Sequence, residues 1–150
     1  MTGKDPKPVS VLIIDDSAVV RQTVSVILSQ EPSLTVTTAP HPLIALAKMA
    51  RQRPDVILLD LEMPRMSGMD FLKKIMREHP IPIIVCSAHV GAGAAVGIEA
   101  MEAGAVDIIA KPQIGVREFL HESAITLIDA VRAASRAKLI GRGRSLPFSR

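Results

Sequence analysis

The sequence predicts a doubly wound α/β fold, in which a five-stranded parallel sheet is covered by helices on both faces. Short apolar runs alternate with segments of helical periodicity along the chain, which is typical of this class. The run from Asp55 to Asp60 (DVILLD) has four consecutive apolar residues, as expected of a strand buried on both faces of a parallel sheet. Crossover connections in such sheets are right-handed, and the expected strand order is 2-1-3-4-5, the flavodoxin-like arrangement.

The predicted elements can be assigned in order, because each apolar run ends at a polar residue or a proline. The strands are expected at residues 9–14, 34–39, 55–60, 83–86 and 106–110. The helices are expected at residues 18–30, 43–53, 68–79, 92–103 and 118–139. Ser17 is a suitable N-cap for the first helix, and Gly104 suits the C-cap of the fourth. Pro54 ends the second helix, which leaves Arg51 and Arg53 in its last turn.

Apolar residues recur at helical spacing in two of these helices. The expected buried faces are Val20, Val24, Ile27 and Leu28 in the first helix, and Phe71, Leu72, Ile75 and Met76 in the third.

Length and composition indicate one globular domain. The chain has 150 residues, of which 48% are apolar and 22% charged, which is ample for a core. We expect a flexible N-terminal arm at residues 1–8, the domain at residues 9–139 and a basic linker or tail at residues 140–150. No apolar run approaches the ~18 residues of a membrane span, and the N-terminus lacks the apolar segment of a signal peptide. We therefore expect a cytoplasmic protein without membrane insertion.

The net charge of +3 conceals an acidic body and a basic C-terminal region. Residues 132–150 contain six basic side chains and no acid, whereas residues 1–131 hold the other 12 basic residues and all 15 acidic ones. Basic tails can bind nucleic acid, but three Phe and no Trp or Tyr offer little for base stacking. A solvated linker is favoured over a nucleic-acid partner. The single Cys86 lies in an apolar run and is expected to be a buried thiol.

Polar side chains follow four predicted strands at the point where each strand ends. They are Asp15, Asp16, Asp60, Ser87 and Lys111. The carboxyl ends of parallel strands share one edge of the sheet, where ligands bind in open α/β folds. Three carboxylates at this edge would repel one another unless a cation lay among them. Mg²⁺, which often joins carboxylates to a phosphate, is suited to such a group.

In this setting Asp60 is a carboxylate nucleophile that could attack a phosphoryl group and form an acyl phosphate. The metal and Lys111 would neutralise the developing charge, and the Ser87 hydroxyl could donate to a phosphoryl oxygen. Each residue alone also fits a structural role, since an aspartate or serine can cap a turn and a lysine can be a surface residue. Their joint occurrence at successive strand ends favours phosphoryl transfer.

These segments resemble the receiver domain of response regulators, the phosphoacceptor partner of a histidine kinase. The resemblance covers about residues 9–135. It is carried by the Asp15-Asp16 pair, Asp60 in the motif DLEMPRMSG, Ser87-Ala88 and Lys111-Pro112.

The resemblance implies a role for each of these residues. It implies that Asp60 accepts phosphate from a histidine kinase. It implies that Asp16 ligates Mg²⁺ directly, Asp15 mainly through water, and that the main-chain carbonyl of Glu62 supplies another ligand. It also implies that the serine and the lysine contact the phosphoryl group.

Three longer segments, IDDSAVVRQ, DLEMPRMSGMDFLKKIM and GAVDIIAKP, are similar to the N-terminal regulatory domain of the chemotaxis protein-glutamate methylesterase/glutamine deamidase family. In that family a receiver masks a C-terminal hydrolase until it is phosphorylated. The resemblance therefore implies a chemotaxis-type histidine kinase as a partner, a C-terminal methylesterase domain in a longer protein, and chemoreceptors as partners of that domain.

The hydrolase itself is not expected within this chain, because no G-x-S-x-G elbow occurs in it. We expect no enzymatic activity of the chain beyond its own phosphorylation and dephosphorylation. The chain is expected to be part of a longer methylesterase.

Two features concern how the site is controlled. The family usually has an aromatic residue three positions before the lysine, where this chain has Ile108. An aliphatic side chain can pack there but cannot rotate a ring between an inner and an outer position. Glu62 and His89 lie two residues beyond the phosphoacceptor and the serine, beside the path that a hydrolytic water takes in the family. We expect them to set the lifetime of the phosphoryl group.

Three other functions share some of these features. A Mg²⁺-dependent phosphatase would need a second acid/base carboxylate, for which Glu62 is the only candidate. A stand-alone receiver, or the receiver of a DNA-binding response regulator, would use the same site.

The glycine-rich residues 91–97 resemble a dinucleotide fingerprint, but Val96 occupies the place of the third glycine, so they are interpreted as a loop.

Overall fold

The computed structural model describes residues 7–63, 67–87, 95–110 and 124–137. The strands within these residues are β1 Val9–Ile14, β2 Leu34–Ala39, β3 Val56–Asp60, β4 Ile83–Ser87 and β5 Asp107–Ala110. The helices are α1 Ala18–Ser29, α2 Pro42–Arg51, α3 Gly68–Glu78 and α4 Ala95–Ala103. Residues 124–137 are also helical and are called α5.

The five strands form one parallel sheet in the order β2-β1-β3-β4-β5, which confirms the predicted fold class and strand order. Ile14 at the end of β1 pairs with Leu59, and Asp60 at the end of β3 pairs with Cys86. Ser87 at the end of β4 pairs with Ala110. Among β1, β3, β4 and β5, the carboxyl ends of neighbouring strands therefore differ in height by one residue at most, because register in a parallel ladder fixes their relative heights.

The sheet separates two cores, since successive side chains of a strand point to opposite faces. Ile57 and Leu59 of β3 face a core that includes Phe71 of α3. Leu58 faces the other core, which includes Val131 of α5. Every residue of β3 and β4 is buried, as the apolar runs predict for central parallel strands.

Helices α1 and α3 bury the faces that their periodicity predicts. Val20, Val24, Ile27 and Leu28 of α1 are buried, as are Phe71, Leu72 and Ile75 of α3. Met76 is half-buried against the same core. Gly104 follows the last residue of α4 with a φ of 118°, a left-handed conformation that favours glycine at a helix C-terminus.

The predicted extent of α2 is wrong at its C-terminal end. The helix ends at Arg51, and the backbone of Gln52 is extended, with a φ of −149°. The residue before a proline avoids the helical conformation, so Arg53 leaves the helix ahead of Pro54. Its guanidinium donates instead to the main-chain oxygen of Pro80 at 2.8 Å.

Several predictions fall outside the described residues. They concern residues 1–6 of the arm, His89, the glycine-rich residues 91–94, Lys111, residues 118–123 of the last helix and the basic residues 140–150. Within the described residues, none of the helices is both long and apolar enough to cross a bilayer.

Candidate functional site

Three carboxylates meet at the carboxyl edge of the sheet. One oxygen from each of Asp15, Asp16 and Asp60 lies within 4.8 Å of the other two. Asp15 and Asp60 are 2% and 1% exposed, whereas Asp16 is exposed. Such a set of hard oxygen donors suits a hydrated divalent cation bound through carboxylates and water. The residues present therefore fit the metal that the sequence predicts at this edge.

The loop between β1 and α1 holds the first two acids in place. The main-chain N–H of Asp15 continues the sheet by donating to the carbonyl of Ala39 at 3.2 Å. One carboxylate oxygen of Asp15 accepts the N–H of Ser17 at 2.9 Å. The Ser17 hydroxyl in turn accepts the N–H of Val20 at 3.2 Å, as predicted for an N-cap. The aspartate and the start of α1 are thus fixed together.

Arg21 braces this loop from within α1. Its guanidinium donates to the main-chain oxygen of Asp15 at 2.7 Å, and its own N–H donates to the carbonyl of Ser17. Nothing in the sequence singles out Arg21 except that it lies one helical turn beyond the N-cap, on the side of the helix that faces the loop. The guanidinium therefore holds the main chain of Asp15 against the first turns of α1.

Asp60 is the last residue of β3. Its carboxylate oxygen Oδ1 accepts the N–H of Glu62 at 2.9 Å, and the N–H of Leu61 donates to the carbonyl of Cys86 at 3.3 Å. The first residue of α3, Gly68, lies directly on this backbone: a Cβ atom there would come within 2.7 Å of the Leu61 Cα. The main chain around Asp60 is therefore fixed by β4 on one side and by the first residue of α3 on the other.

Ser87 is the last residue of β4 and is 1% exposed. Its hydroxyl donates to the carboxylate oxygen Oε2 of Glu62 at 2.7 Å. Glu62 therefore contacts Asp60 through its main chain and Ser87 through its side chain. Sequence spacing predicts that Glu62 lies near Asp60, but it does not indicate a contact with a residue on another strand.

Ile108, at the position that is usually aromatic in receiver domains, lies half-buried in β5 and packs against the core. Its Cδ1 atom is close to α4: a Cβ added at Gly97 would lie 3.1 Å from it. The absence of a side chain at Gly97 thus leaves room for the isoleucine between strand and helix.

A family model for the response regulator receiver domain matches residues 11–123. A protein-glutamate methylesterase/protein-glutamine glutaminase of Anaeromyxobacter dehalogenans is 50% identical over 143 residues, which are 95% of this chain and 39% of that protein. A protein of the same name from Oleidesulfovibrio alaskensis is 53% identical over 132 residues, which are 87% of this chain and 37% of that protein. The chain thus spans about two fifths of the length of the curated relatives it matches.

Among solved structures, the chain resembles the response regulator domain of Thermotoga maritima CheB. The two are 36% identical, with a TM-score of 0.78, and the match covers 87% of this chain and 98% of the other. The family model and the solved structure therefore both identify response regulator domains as the proteins that this chain resembles.

Proposed function

Because the chain belongs to the response regulator receiver domain family, we propose that Asp60 accepts a phosphoryl group from a histidine kinase in the presence of Mg²⁺. The observation that carries this proposal is the meeting of three carboxylate oxygens within 4.8 Å at the carboxyl edge of the sheet. Asp60 is the one of the three that is itself the last residue of a fully buried strand, and ligands bind at the carboxyl ends of such strands.

The reaction is a transfer between two nucleophiles. An Asp60 oxygen forms a bond to phosphorus while the bond from phosphorus to the donor nitrogen breaks, and the donor imidazole leaves as the neutral ring after gaining a proton. Asp15, Asp16, Asp60 and the main-chain carbonyl of Glu62 would hold the metal. Bound Mg²⁺ supplies positive charge that offsets the charge developing on the phosphoryl oxygens.

Two further residues complete the proposed site. Ser87 is the last residue of β4, which pairs with β3, and its hydroxyl would donate to a phosphoryl oxygen on Asp60. Lys111 follows β5 directly in the sequence and would supply an ammonium group to the same oxygens.

His89, with Glu62, would set the lifetime of the acyl phosphate, and Ile108 would report its presence to the surface formed by α4 and β5.

The relatives suggest what the domain controls. The curated matches are protein-glutamate methylesterases of which this chain spans about two fifths. We propose that residues 9–139 act as the regulatory domain of such an enzyme in the cytoplasm, with residues 1–8 as an arm and residues 140–150 as a linker. Its partners would then be a chemotaxis-type histidine kinase, the methylesterase domain and, through that domain, chemoreceptors.

The proposal is tested by incubating the chain with Mg²⁺ and acetyl phosphate and measuring its intact mass. A gain of one phosphoryl group is expected, and Asp60→Asn should abolish it because an amide is a poor nucleophile. The matched control is Asp55→Asn, since Asp55 lies just before the same strand and its carboxylate accepts the N–H of Ser10 at 2.9 Å. Phosphorylation that persists in Asp60→Asn, or that needs Asp55, would contradict the assignment.

A further inference from the structure

We propose that Glu62 is a positioning residue that restrains the Ser87 hydroxyl in the unphosphorylated domain and has to release it when Asp60 is phosphorylated. This inference rests on the function proposed above, because it concerns how the same site passes between its two states. It gives Glu62 a role in phosphoryl binding itself, in addition to any effect on the path of a hydrolytic water.

The geometry places Glu62 between the two groups that would contact the phosphoryl group. Its main-chain N–H donates to Asp60 Oδ1 at 2.9 Å, and its carboxylate accepts the Ser87 hydroxyl at 2.7 Å. The second distance is typical of a hydroxyl that donates to an ionised carboxylate. The two contacts join the ends of β3 and β4 through one residue.

A hydroxyl has a single hydrogen to donate. While the hydrogen of Ser87 is directed at Glu62, it is not available to a phosphoryl oxygen on Asp60. The two acceptors also carry charge of the same sign, so they disfavour each other at short range. The Glu62 carboxylate and the phosphoryl group therefore compete for one hydrogen at one place.

Burial decides which partner moves. Ser87 is 1% exposed at the end of a fully buried strand, whereas Glu62 is exposed. An exposed glutamate can turn its carboxylate towards solvent by side-chain rotation, without moving the main chain, but a buried serine would have to move its strand. Release is therefore a rotation of the Glu62 side chain, after which the serine hydroxyl turns to the phosphoryl group.

The test measures the affinity for beryllofluoride, an analogue of the phosphoryl group, in the presence of Mg²⁺, by calorimetry and by ¹⁹F NMR. Glu62→Ala should bind beryllofluoride about fivefold more tightly than the wild-type chain, as expected when a partly exposed, charge-assisted hydrogen bond no longer has to be broken. Glu62→Gln keeps an acceptor oxygen and should give a smaller increase.

The control is a double-mutant cycle with Ser87→Ala. Without the hydroxyl, Glu62→Ala removes only the repulsion between the glutamate and the beryllofluoride, so it should raise the affinity by less than about twofold in the Ser87→Ala background. A purely structural effect of Glu62 would act equally in both backgrounds. Equal changes in the two backgrounds, or weaker binding by Glu62→Ala, would overturn the inference.

Failure of this inference can be told apart from failure of the proposed function. If wild-type Asp60 gains no phosphoryl group from acetyl phosphate, the proposed function fails. If Asp60 is phosphorylated while Glu62 and Ser87 act independently on beryllofluoride binding, only the restraint is contradicted.

Discussion

Gly68 lies where the first turn of α3 touches the backbone that follows β3. A Cβ atom at this position would meet the Asp60 carbonyl oxygen and would lie 2.7 Å from the Leu61 Cα. These are backbone atoms of a buried strand end and cannot turn aside. We therefore expect Gly68→Ala to lower the free energy of unfolding by about 2–3 kcal/mol and to reduce phosphorylation of Asp60. Urea unfolding followed by circular dichroism measures the first effect, since the chain has no Trp or Tyr.

Gly97→Ala is the matched control for this substitution. A Cβ there would face only the Cδ1 end of Ile108, at 3.1 Å, and a side-chain end can shift. Alanine in a helix gains about 0.5–1 kcal/mol over glycine, which offsets the crowding. The free energy of unfolding should thus stay within about 1 kcal/mol of the wild-type value. Equal losses in the two variants would show that the contact at Gly68 has no special role.

Single residues also show how far the sequence predicts the site. Asp15, Asp16, Asp60 and Ser87 each follow an apolar run, and strand register alone brings the three acids together. The bond from Ser87 to Glu62 joins residues 25 positions apart and depends on side-chain rotamers, which spacing along the chain does not specify. The hydrogen bond from the Arg21 guanidinium to the main-chain oxygen of Asp15 cannot be predicted from the sequence for the same reason.

At the scale of elements, α3 begins at a serine cap. The hydroxyl of Ser67 accepts the N–H of Asp70 at 3.2 Å, and the charge of Asp70 in the first turn suits the positive end of the helix dipole. Ser67→Ala should lower the free energy of unfolding by about 1 kcal/mol. Ser67→Asp keeps an acceptor at the cap and should retain most of the wild-type stability. The same urea titrations measure both variants, and an unchanged free energy of unfolding in Ser67→Ala would contradict the role of the cap.

The connection between α1 and β2 is tied to α5 by an ion pair. The Arg132 guanidinium lies 2.8 Å from a carboxylate oxygen of Glu31, which also accepts the Ser33 hydroxyl at 3.0 Å. The Ser33 hydroxyl and, to a smaller extent, Arg132 lower the pKa of Glu31 below its ordinary value. The carboxyl group is therefore charged over a wider pH range in the folded chain than in the unfolded one.

This lowered pKa predicts the sign of a pH effect. A group whose pKa falls on folding stabilises the fold at pH values above its ordinary unfolded pKa, and the contribution is lost as the pH falls through the lower folded pKa. The difference in urea midpoint between the wild-type chain and Glu31→Gln should shrink as the pH is lowered from about 6 to about 3. Ser33→Ala should make that difference smaller throughout. A difference that grows on acidification would contradict this assignment.

Elements differ in how well their extents can be predicted. The start of α1 and the end of β1 are confirmed because a cap and an acid mark them, whereas α2 is shorter than predicted because Pro54 acts on the residue before it. Helix α4 shows a further limit. It buries only Ala100, and Ile98 and Met101 are exposed, so a small and apolar composition predicts the helix but not the fraction of it that packs.

For the whole molecule, binding of the proposed metal by the acid cluster would couple folding to the metal concentration. A cation that binds only the folded state stabilises it by about 2.7 kcal/mol at one hundred times its Kd, which raises Tm by roughly 5–10 °C in a chain of this size. Asp16→Asn should lose most of this increment without loss of packing, since Asp16 is exposed. Asp70→Asn, on the exposed surface of α3, should keep it. Thermal scans with Mg²⁺ and with a chelator measure both, and a full increment in Asp16→Asn would contradict the metal assignment.

The global arrangement is the part that the sequence predicts best. Alternating strands and helices, right-handed crossovers and fully apolar central strands leave few arrangements, and the order β2-β1-β3-β4-β5 is confirmed. These rules act through the backbone and through burial, which depend on residue class. These rules do not predict the contacts of individual side chains at the carboxyl edge of the sheet, such as the hydrogen bond from Ser87 to Glu62.

The burial of Asp60 has a consequence for the molecules that can react with it. The residue is 1% exposed, so under the proposed function an incoming phosphorus atom has to reach a carboxylate that is almost fully covered by the protein. Suitable donors carry their phosphoryl group on a narrow chemical group, such as a histidine ring or a small acyl phosphate. The shape of a donor therefore limits which donors can reach Asp60.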